Sequence, residues 1–235
     1  MPKKRNIELP NVTLISVAAL NYESVVRALT LSTVGIKFGF VKIITPTKPN
    51  SIPKDIAWEG CPPLRLRDTN IDDYSHYVLY DLWKHVDTEF CLVIQGDGYV
   101  INPRLWVDEF LKYDYIGAPW PIMTNSYIDP FGNHQRVGNG GFSLRSKKLL
   151  EVPNTHHIEW DVNKSDFYGH MGANSLAEDG NICVHNRHVF EEAGCVFAPL
   201  EIAMSFSREL DIPEYDGRKT FGFHRHRREG DSDLF

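Results

Sequence analysis

The sequence predicts an α/β fold, a Rossmann-type, mostly parallel sheet flanked by helices in a single continuous domain. Strand-like and helix-like apolar patterns alternate through the first hundred residues, the signature of parallel strands joined by covering helices. The runs "VTLISVAAL" (12–20) and "FCLVI" (90–94) are apolar at consecutive positions, as in strands buried on both faces. A chain of 235 residues, 42% hydrophobic, can bury one sizeable core, and no repeat, low-complexity tract or linker divides it.

Residues 12–20 form the first strand, and Val25, Ala28, Leu29 and Ser32 then recur at helical spacing up to Gly35. A second strand, "FVKIITP" (40–46), stops at Pro46, and "TKPNSIPKD" with "GCPP" reads as a proline-punctuated surface loop. Leu79, Leu82, Trp83 and Val86 predict an amphipathic helix, with Asp72 or Asp73 placed to cap it, leading directly into "FCLVI". Beyond it come a short strand "YDYIGA" (113–118), a polar loop through 136, a strand "GGFSL" (140–144) and a helix near 146–151. A last helix runs from about 179 to 193 and is ended by Gly194.

The formal net charge of −6 argues against a general nucleic-acid binder, whose affinity would rest on a basic face. "MPKKRNIELP" is basic but lacks the apolar run of a signal peptide, and no stretch approaches the roughly 20 apolar residues of a membrane span. A soluble, cytoplasmic protein is expected. The basic segment "HRHRREG" (224–230) reads as a solvated tail, with peripheral contact to an anionic membrane as the alternative. Cysteines 61, 91, 183 and 195 show no CxxC spacing and read as buried thiols.

Four groups of residues have the composition of a site. In "QGDG" (95–98) a buried strand delivers Asp97 between two glycines; the carboxylate suits either a hard cation carrying phosphate oxygens or a turn hydrogen-bonded to its own backbone. In "VGNGG" (137–141) three glycines around Asn139 allow close approach of a flat polar ligand, or a tight turn. Glu178 and Asp179 sit where a helix begins, favourable for the helix dipole, and able to act as a general base if that end faces "QGDG". His185 and His188 share an HxxH spacing without a third ligand nearby and read as a solvated face; His224 reads as a partly buried histidine or as a metal or phosphate partner.

The ordered blocks "FCLVIQGDGYVINPRLW", "YDYIGAPW", "VGNGGFSLRSKKLLE", "EDGNICVHNR", "FAPLEIAMSFSRE" and "FGFH" resemble a family of small, mostly bacterial and viral domains of the GT-A glycosyltransferase type, DUF5672, over residues 12–224. The resemblance implies a GT-A-like domain: a nucleotide-binding half (about 1–100) joined in one continuous sheet to a donor-sugar and acceptor half (101–224), followed by a basic flexible tail (225–235). Gln95, Gly96 and Asp97 then correspond to the DxD element that holds a metal on the sugar-nucleotide diphosphate, with Gln95 replacing its first acid, and Gly98 completes the donor-binding turn. Ala18, Ala19 and Asn21 would lie beside the nucleotide base and ribose, and Asn139, Gly140 and Gly141 beside the donor sugar. Asp179, with Glu178, would be the catalytic acid pair near the acceptor, and Trp120 in "APWP" would either offer a flat wall to an acceptor ring or sit in the core or at the rim. Asp97 and His224 would hold a divalent cation, Mn²⁺ or Mg²⁺.

The chemistry implied is transfer of a sugar from a UDP-, GDP- or dTDP-sugar to a hydroxyl of a glycan or lipid-linked acceptor, with inversion and Asp179 as base. Replacement of the first DxD acid also admits an inactive glycan- or nucleotide-sugar-binding module of the same fold. A nucleotidyltransferase would need a glycine-rich, basic phosphate loop after the first strand, and "SVAALNYES" lacks one.

Overall fold

The computed structural model describes residues 6–64, 71–124, 126–160, 177–215 and 217–224. The central strands β1 (Ile7–Val17), β2 (Ile36–Thr45), β3 (Ala57–Gly60) and β4 (Phe90–Ile94) pair in parallel. A second, smaller sheet starts with β5 (Gly98–Val100), immediately beyond β4. β6 (Tyr115–Ile116) and β7 (Phe142–Ser146) complete the main sheet in the order β3-β2-β1-β4-β7-β6, with β7 antiparallel to both its neighbours. β8 (Ser207–Arg208) and β9 (Gly222–His224) join β5 in the order β5-β9-β8. The architecture is therefore α/β with a mostly parallel main sheet, but the expected single continuous sheet is two sheets, because the chain turns out of plane at residues 95–97.

Side-chain alternation explains why the consecutive apolar runs fit. Along β1 and β4, Ile15, Val17, Cys91 and Val93 face one core, and Val12, Leu14, Leu92 and Ile94 face the other. The first core is closed by helices α2 (Asp72–Tyr80) and α3 (Lys147–Thr155), through Val78, Leu79, Leu149 and Leu150. The second is closed by α1 (Tyr22–Ser32), through Val25, Ala28 and Leu29, the stripe that the spacing predicts. Each fully buried Leu, Ile or Val contributes about 1.5–3 kcal/mol relative to exposure, so both layers are needed. In α3 Ser146 caps the helix, its Oγ accepting the Leu149 N–H at 3.0 Å.

Several boundaries differ from expectation. The first strand begins at Ile7 and ends at Val17 rather than running from 12 to 20. The loop read through "GCPP" contains β3, an edge strand fixed by pairing with β2 rather than by its own pattern, which is mostly exposed. At α2 the N-cap position is Ile71, with Asp72 and Asp73 inside the first turn; beyond Asp81 the helix gives way to a 3₁₀ turn, Leu82–His85. The helix expected over 179–193 is three pieces: a turn α4 (Glu178–Gly180), a π-helical turn Asn181–His185, and α5 (Arg187–Glu192). Gly194, with φ +81°, ends it as read. A further helix, α6 (Leu200–Phe206), has no counterpart in the pattern analysis. All four thiols are free, three of them buried, and no described helix is long and apolar enough to cross a membrane. The tail at 225–235 lies outside the described residues.

Lys42, in the middle of β2, is a buried cation that needs partners. Its Nζ lies 2.7 Å from Glu59 Oε1 and 2.6 Å from Asp87 Oδ2. Burial pushes the Glu59 carboxyl up, but bonds to His85 and Lys42 hold it below its ordinary value; the bond to Lys42 does the same for Asp87. A depressed carboxyl adds stability that is present above its unfolded pKa and lost as pH falls through the folded value. Lys42→Met should accordingly cost about 1 kcal/mol at pH 7, since both carboxylates can still reach water, and less at pH 3. Urea unfolding at the two pH values checks this; an identical loss at both would remove the ion pairs as its cause.

Candidate active site

The turn after β4 answers why a core strand delivers a carboxylate between glycines. Gln95 N–H bonds to Gly141 O at 3.0 Å, and Gly98 N–H to Gln95 O at 3.2 Å, which closes the bend. A Cβ at Gly96 would overlap Ser24 in the first turn of α1, so the glycine lets the bend settle against the β1–α1 junction. A Cβ at Gly98 would come within 2.6 Å of Phe223 O, because Gly98 pairs with His224 across β5 and β9. That pairing brings His224, 127 positions later than Asp97, to the tip of β4.

At the tip, His224 Nε2 lies 3.0 Å from Gln95 Oε1 and 3.3 Å from Asp97 Oδ1, while its Nδ1 lies 3.3 Å from Glu209 Oε1. The Glu209 contact is an ion-pair distance without hydrogen-bond alignment. Burial pulls the imidazole down, yet Asp97 and Glu209 outweigh it and push its pKa up to about 10. Gln95 spans outward from here: its Nε2 donates to Tyr74 OH at 3.0 Å while its Oε1 faces the histidine. An ionised carboxylate at 95 could not donate to Tyr74, which is a physical reason for an amide where the resemblance leads one to expect an acid.

The second cluster lies on the other side of a glycine pair. Gly140 N–H donates to Asp179 Oδ2 at 2.8 Å, and the Gly180 N–H to Asp179 Oδ1 at 2.7 Å. Arg145, fully buried in β7, bonds Glu178 Oε1 at 2.8 Å and the Gly140 carbonyl at 3.2 Å, and its Nε bonds Ser143 Oγ at 2.9 Å. A Cβ on Gly140 would strike the Glu178 carboxylate, and one on Gly141 would strike the His224 ring. Both glycines are thus required by close approach. Burial, then the charge of Asp179, raises the Glu178 pKa, opposed by Arg145; Arg145 is held charged, its neighbouring Tyr115 and Glu178 outweighing desolvation. Tyr74, buried, is pushed up by desolvation and then by the charge of Glu178, so it stays a neutral phenol that accepts from Gln95. Asn139 is buried, and its Oδ1 has no hydrogen-bond partner among the described residues. Such an atom costs about 1–3 kcal/mol unless a ligand satisfies it.

The tip of β4 fits a divalent cation by its donor set. Gln95 Oε1 and Asp97 Oδ1 are hard oxygens, and their separations from His224 Nε2, 3.0 and 3.3 Å, match the roughly 3 Å between adjacent ligand atoms around an octahedral ion with ~2.1 Å bonds. Glu209 lies behind Nδ1, 3.3 Å away and not aligned as a hydrogen-bond acceptor. A cation at Nε2 would have to displace the proton that faces Gln95 Oε1 and Asp97 Oδ1. Among the described residues no group of three or more His, Cys, Asp and Glu side chains could hold a metal ion, so a cation here would rest on Asp97, His224 and the amide of Gln95.

The residues named from sequence fall into three groups. Asp97, Gln95, Gly98, His224, Gly140, Gly141, Glu178 and Asp179 are linked by hydrogen bonds, ion-pair distances and close backbone approaches that run through the Gln95–Gly141 bond, and Asn139 precedes Gly140 in the chain. Ala18, Ala19 and Asn21 follow β1 and reach this path through the contact of α1 with Gly96; Ala18 is buried, Ala19 half-buried, and Asn21, with φ +53°, exposed. Trp120 is a correction: only 2% exposed, it stacks on Tyr127 at 4.4 Å and fills the space a side chain at Gly138 would occupy, so no face is left for an acceptor ring. Glu178, expected beside Asp179 in the catalytic pair, is ion-paired with Arg145 from within β7. His185 and His188 fall on different pieces of the broken helix. Sequence reasoning missed Tyr74, Arg145 and Glu209. Arg145 alone carried a signal, a charge inside the apolar run "GFSLR".

The model of the family described as "Protein of unknown function (DUF5672)" matches residues 66–224, more than half of the chain. The chain belongs to the DUF5672 family. In this DUF5672 protein the match includes the β4 tip, the glycine pair, both acids and His224, but not β1 or the β1–α1 junction. No curated protein matches the chain. The crystal structure of a glycosyltransferase involved in the glycosylation of the major capsid of PBCV-1 is similar over 91% of each chain, with 15% identity and a TM-score of 0.47. Likeness of that degree leaves the function of the DUF5672 chain to be read from its own residues.

Proposed function

We propose that the protein is a GT-A-type glycosyltransferase, moving a sugar from a UDP-, GDP- or dTDP-sugar to a hydroxyl of a glycan or lipid-linked acceptor with inversion. One observation carries this reading: the Asp97–His224 group and the Glu178–Asp179 group are joined through Gln95 and the Gly140–Gly141 pair. Glycosyl transfer needs both, one group to bind a leaving diphosphate and a second, separate carboxylate to take a proton from the attacking alcohol.

Asp97, Gln95 and His224 would hold Mn²⁺ or Mg²⁺, which when bound supplies a Lewis acid for the charge developing on the diphosphate. Asn139, with its unpartnered Oδ1, accepts from a donor-sugar hydroxyl, and the flanking glycines let that sugar approach the backbone. Ala18, Ala19 and Asn21 border the nucleoside. Asp179, anchored by the Gly140 and Gly180 N–H groups, acts as base toward the acceptor hydroxyl. Glu178 acts through Arg145 as a positioning residue.

The test is nucleotide release from a panel of UDP-, GDP- and dTDP-sugars with Mn²⁺, followed alongside donor affinity by calorimetry. Binding of a donor with neither transfer nor slow hydrolysis of any would leave a sugar-nucleotide-binding module instead. Asp97→Asn should lower Mn²⁺-dependent donor affinity by about 10–100-fold, the range for lost support of a metal site, with the fold retained. Unaltered affinity would take Asp97 out of the site.

A further inference from the structure

A cleft of about 320 Å³ lies apart from the Asp97 and Asp179 groups, between the turn Asp129–Gln135 and helix α5. Its volume is at the lower end of the roughly 300–1,000 Å³ of small-ligand sites. The turn is built rigidly around Asp129, whose Oδ1 accepts the Phe131 and Asn133 N–H groups at 2.9 and 2.8 Å and whose Oδ2 accepts Gln135 Nε2 at 2.8 Å. Gly132, at φ +87°, completes the reversal. The effect is to hold Phe131 out at 68% exposure, its ring 5.1 Å from that of His188 and perpendicular to it.

An aromatic ring this exposed is ordinarily a cost, and here it stands beside planar polar groups. His188 Nδ1 is buried and has no hydrogen-bond partner among the described residues. Arg187 is pinned, its Nε 2.8 Å from Glu191 Oε1 and its guanidinium 4.3 Å over the Phe197 ring. The Asp129 oxygens are engaged by the turn and Arg187 is paired, so the cleft carries no unopposed cation for a phosphate or a carboxylate. A ring face next to amide, imidazole and guanidinium groups without surplus positive charge matches a neutral saccharide, with its apolar C–H face and its ring of hydroxyls.

Both walls are joined along the chain to segments of the candidate active site. The turn runs on through Arg136 and Val137 into Asn139–Gly140, and α5 follows the segment that starts at Glu178–Asp179. We propose that this cleft binds a neutral saccharide portion of the acceptor, with Phe131 as the stacking surface and Gln135, Arg187 and His188 as hydroxyl partners. Its acceptor role rests on the glycosyltransferase reading. It takes over the function expected of the buried Trp120.

The experiment uses the full chain on an array of neutral oligosaccharides, with dissociation constants of the bound ones measured by calorimetry for wild type and Phe131→Ala. Phe131 is exposed, so an unchanged melting temperature confirms the variant's fold. Phe131→Ala should weaken saccharide binding about tenfold and leave nucleotide binding as it was. Absence of any binding at millimolar saccharide, or equal affinity in the variant, overturns the proposal. Donor turnover separates the two ideas. If a donor is used while Phe131→Ala leaves the acceptor KM unchanged, the cleft assignment falls and the transferase reading stands. If no donor is used yet Phe131-dependent binding persists, the transferase reading falls and the cleft remains a saccharide site.

Discussion

Asp179→Asn should abolish most transfer, lowering kcat by about 10²–10⁴-fold while donor affinity stays within a fewfold of wild type. The carboxylate is held by two backbone N–H groups, from Gly140 and Gly180, so its position is set before any acceptor arrives. Asparagine keeps the shape and one acceptor oxygen but cannot take a proton at neutral pH. Parallel measurement of nucleotide release and donor calorimetry distinguishes a lost base from a lost site. Turnover at the wild-type rate would move the base elsewhere, and Glu178 is poorly suited because its charge is already engaged by Arg145 at 2.8 Å.

Arg145→Met should be the most destabilising of the changes considered, by about 3–5 kcal/mol, because it leaves Glu178 as an uncompensated charge in the interior. The side chains of the pair are 0% and 5% exposed. The pH dependence has a definite sign. Burial and the nearby Asp179 raise the Glu178 pKa even with Arg145 present, and loss of the guanidinium raises it further. A carboxyl that holds its proton more tightly folded than unfolded destabilises the fold increasingly as pH rises from its unfolded value toward its folded one. The deficit of Arg145→Met should therefore be smaller at pH 5 than at pH 8. Replacing both partners, Arg145→Met with Glu178→Gln, should recover most of the loss, since neither side chain then carries a buried charge. Urea unfolding of the two single variants and the double variant at both pH values closes the cycle; a deficit independent of pH and of Glu178 would mean that Arg145 matters through packing alone.

The bridging role of Gln95 illustrates how far residue types can be read without coordinates. An amide where an acid was expected looked like a lost ligand, and only its two partners, Tyr74 and His224, reveal that it must donate and accept at once. Trp120 shows the opposite case. Of the two readings open for Trp120, sugar platform or core indole, Gly138 selects the second by leaving a slot that the indole fills, while Phe131 is held exposed.

Strand and helix type, the two-faced core and the positions of the carboxylates were legible from the residues, because hydrophobic periodicity and turn chemistry are local properties of a chain. Long-range pairings decided the rest. Strand β3 exists through its pairing with β2, and His224 meets Asp97 because β9 lies along β5; Arg145 meets Glu178 because a buried charge must find its counterion wherever the fold brings one. Contacts between residues 127 positions apart leave no periodicity in the sequence, since they depend on how separate elements are closed against each other and not on any one element's composition.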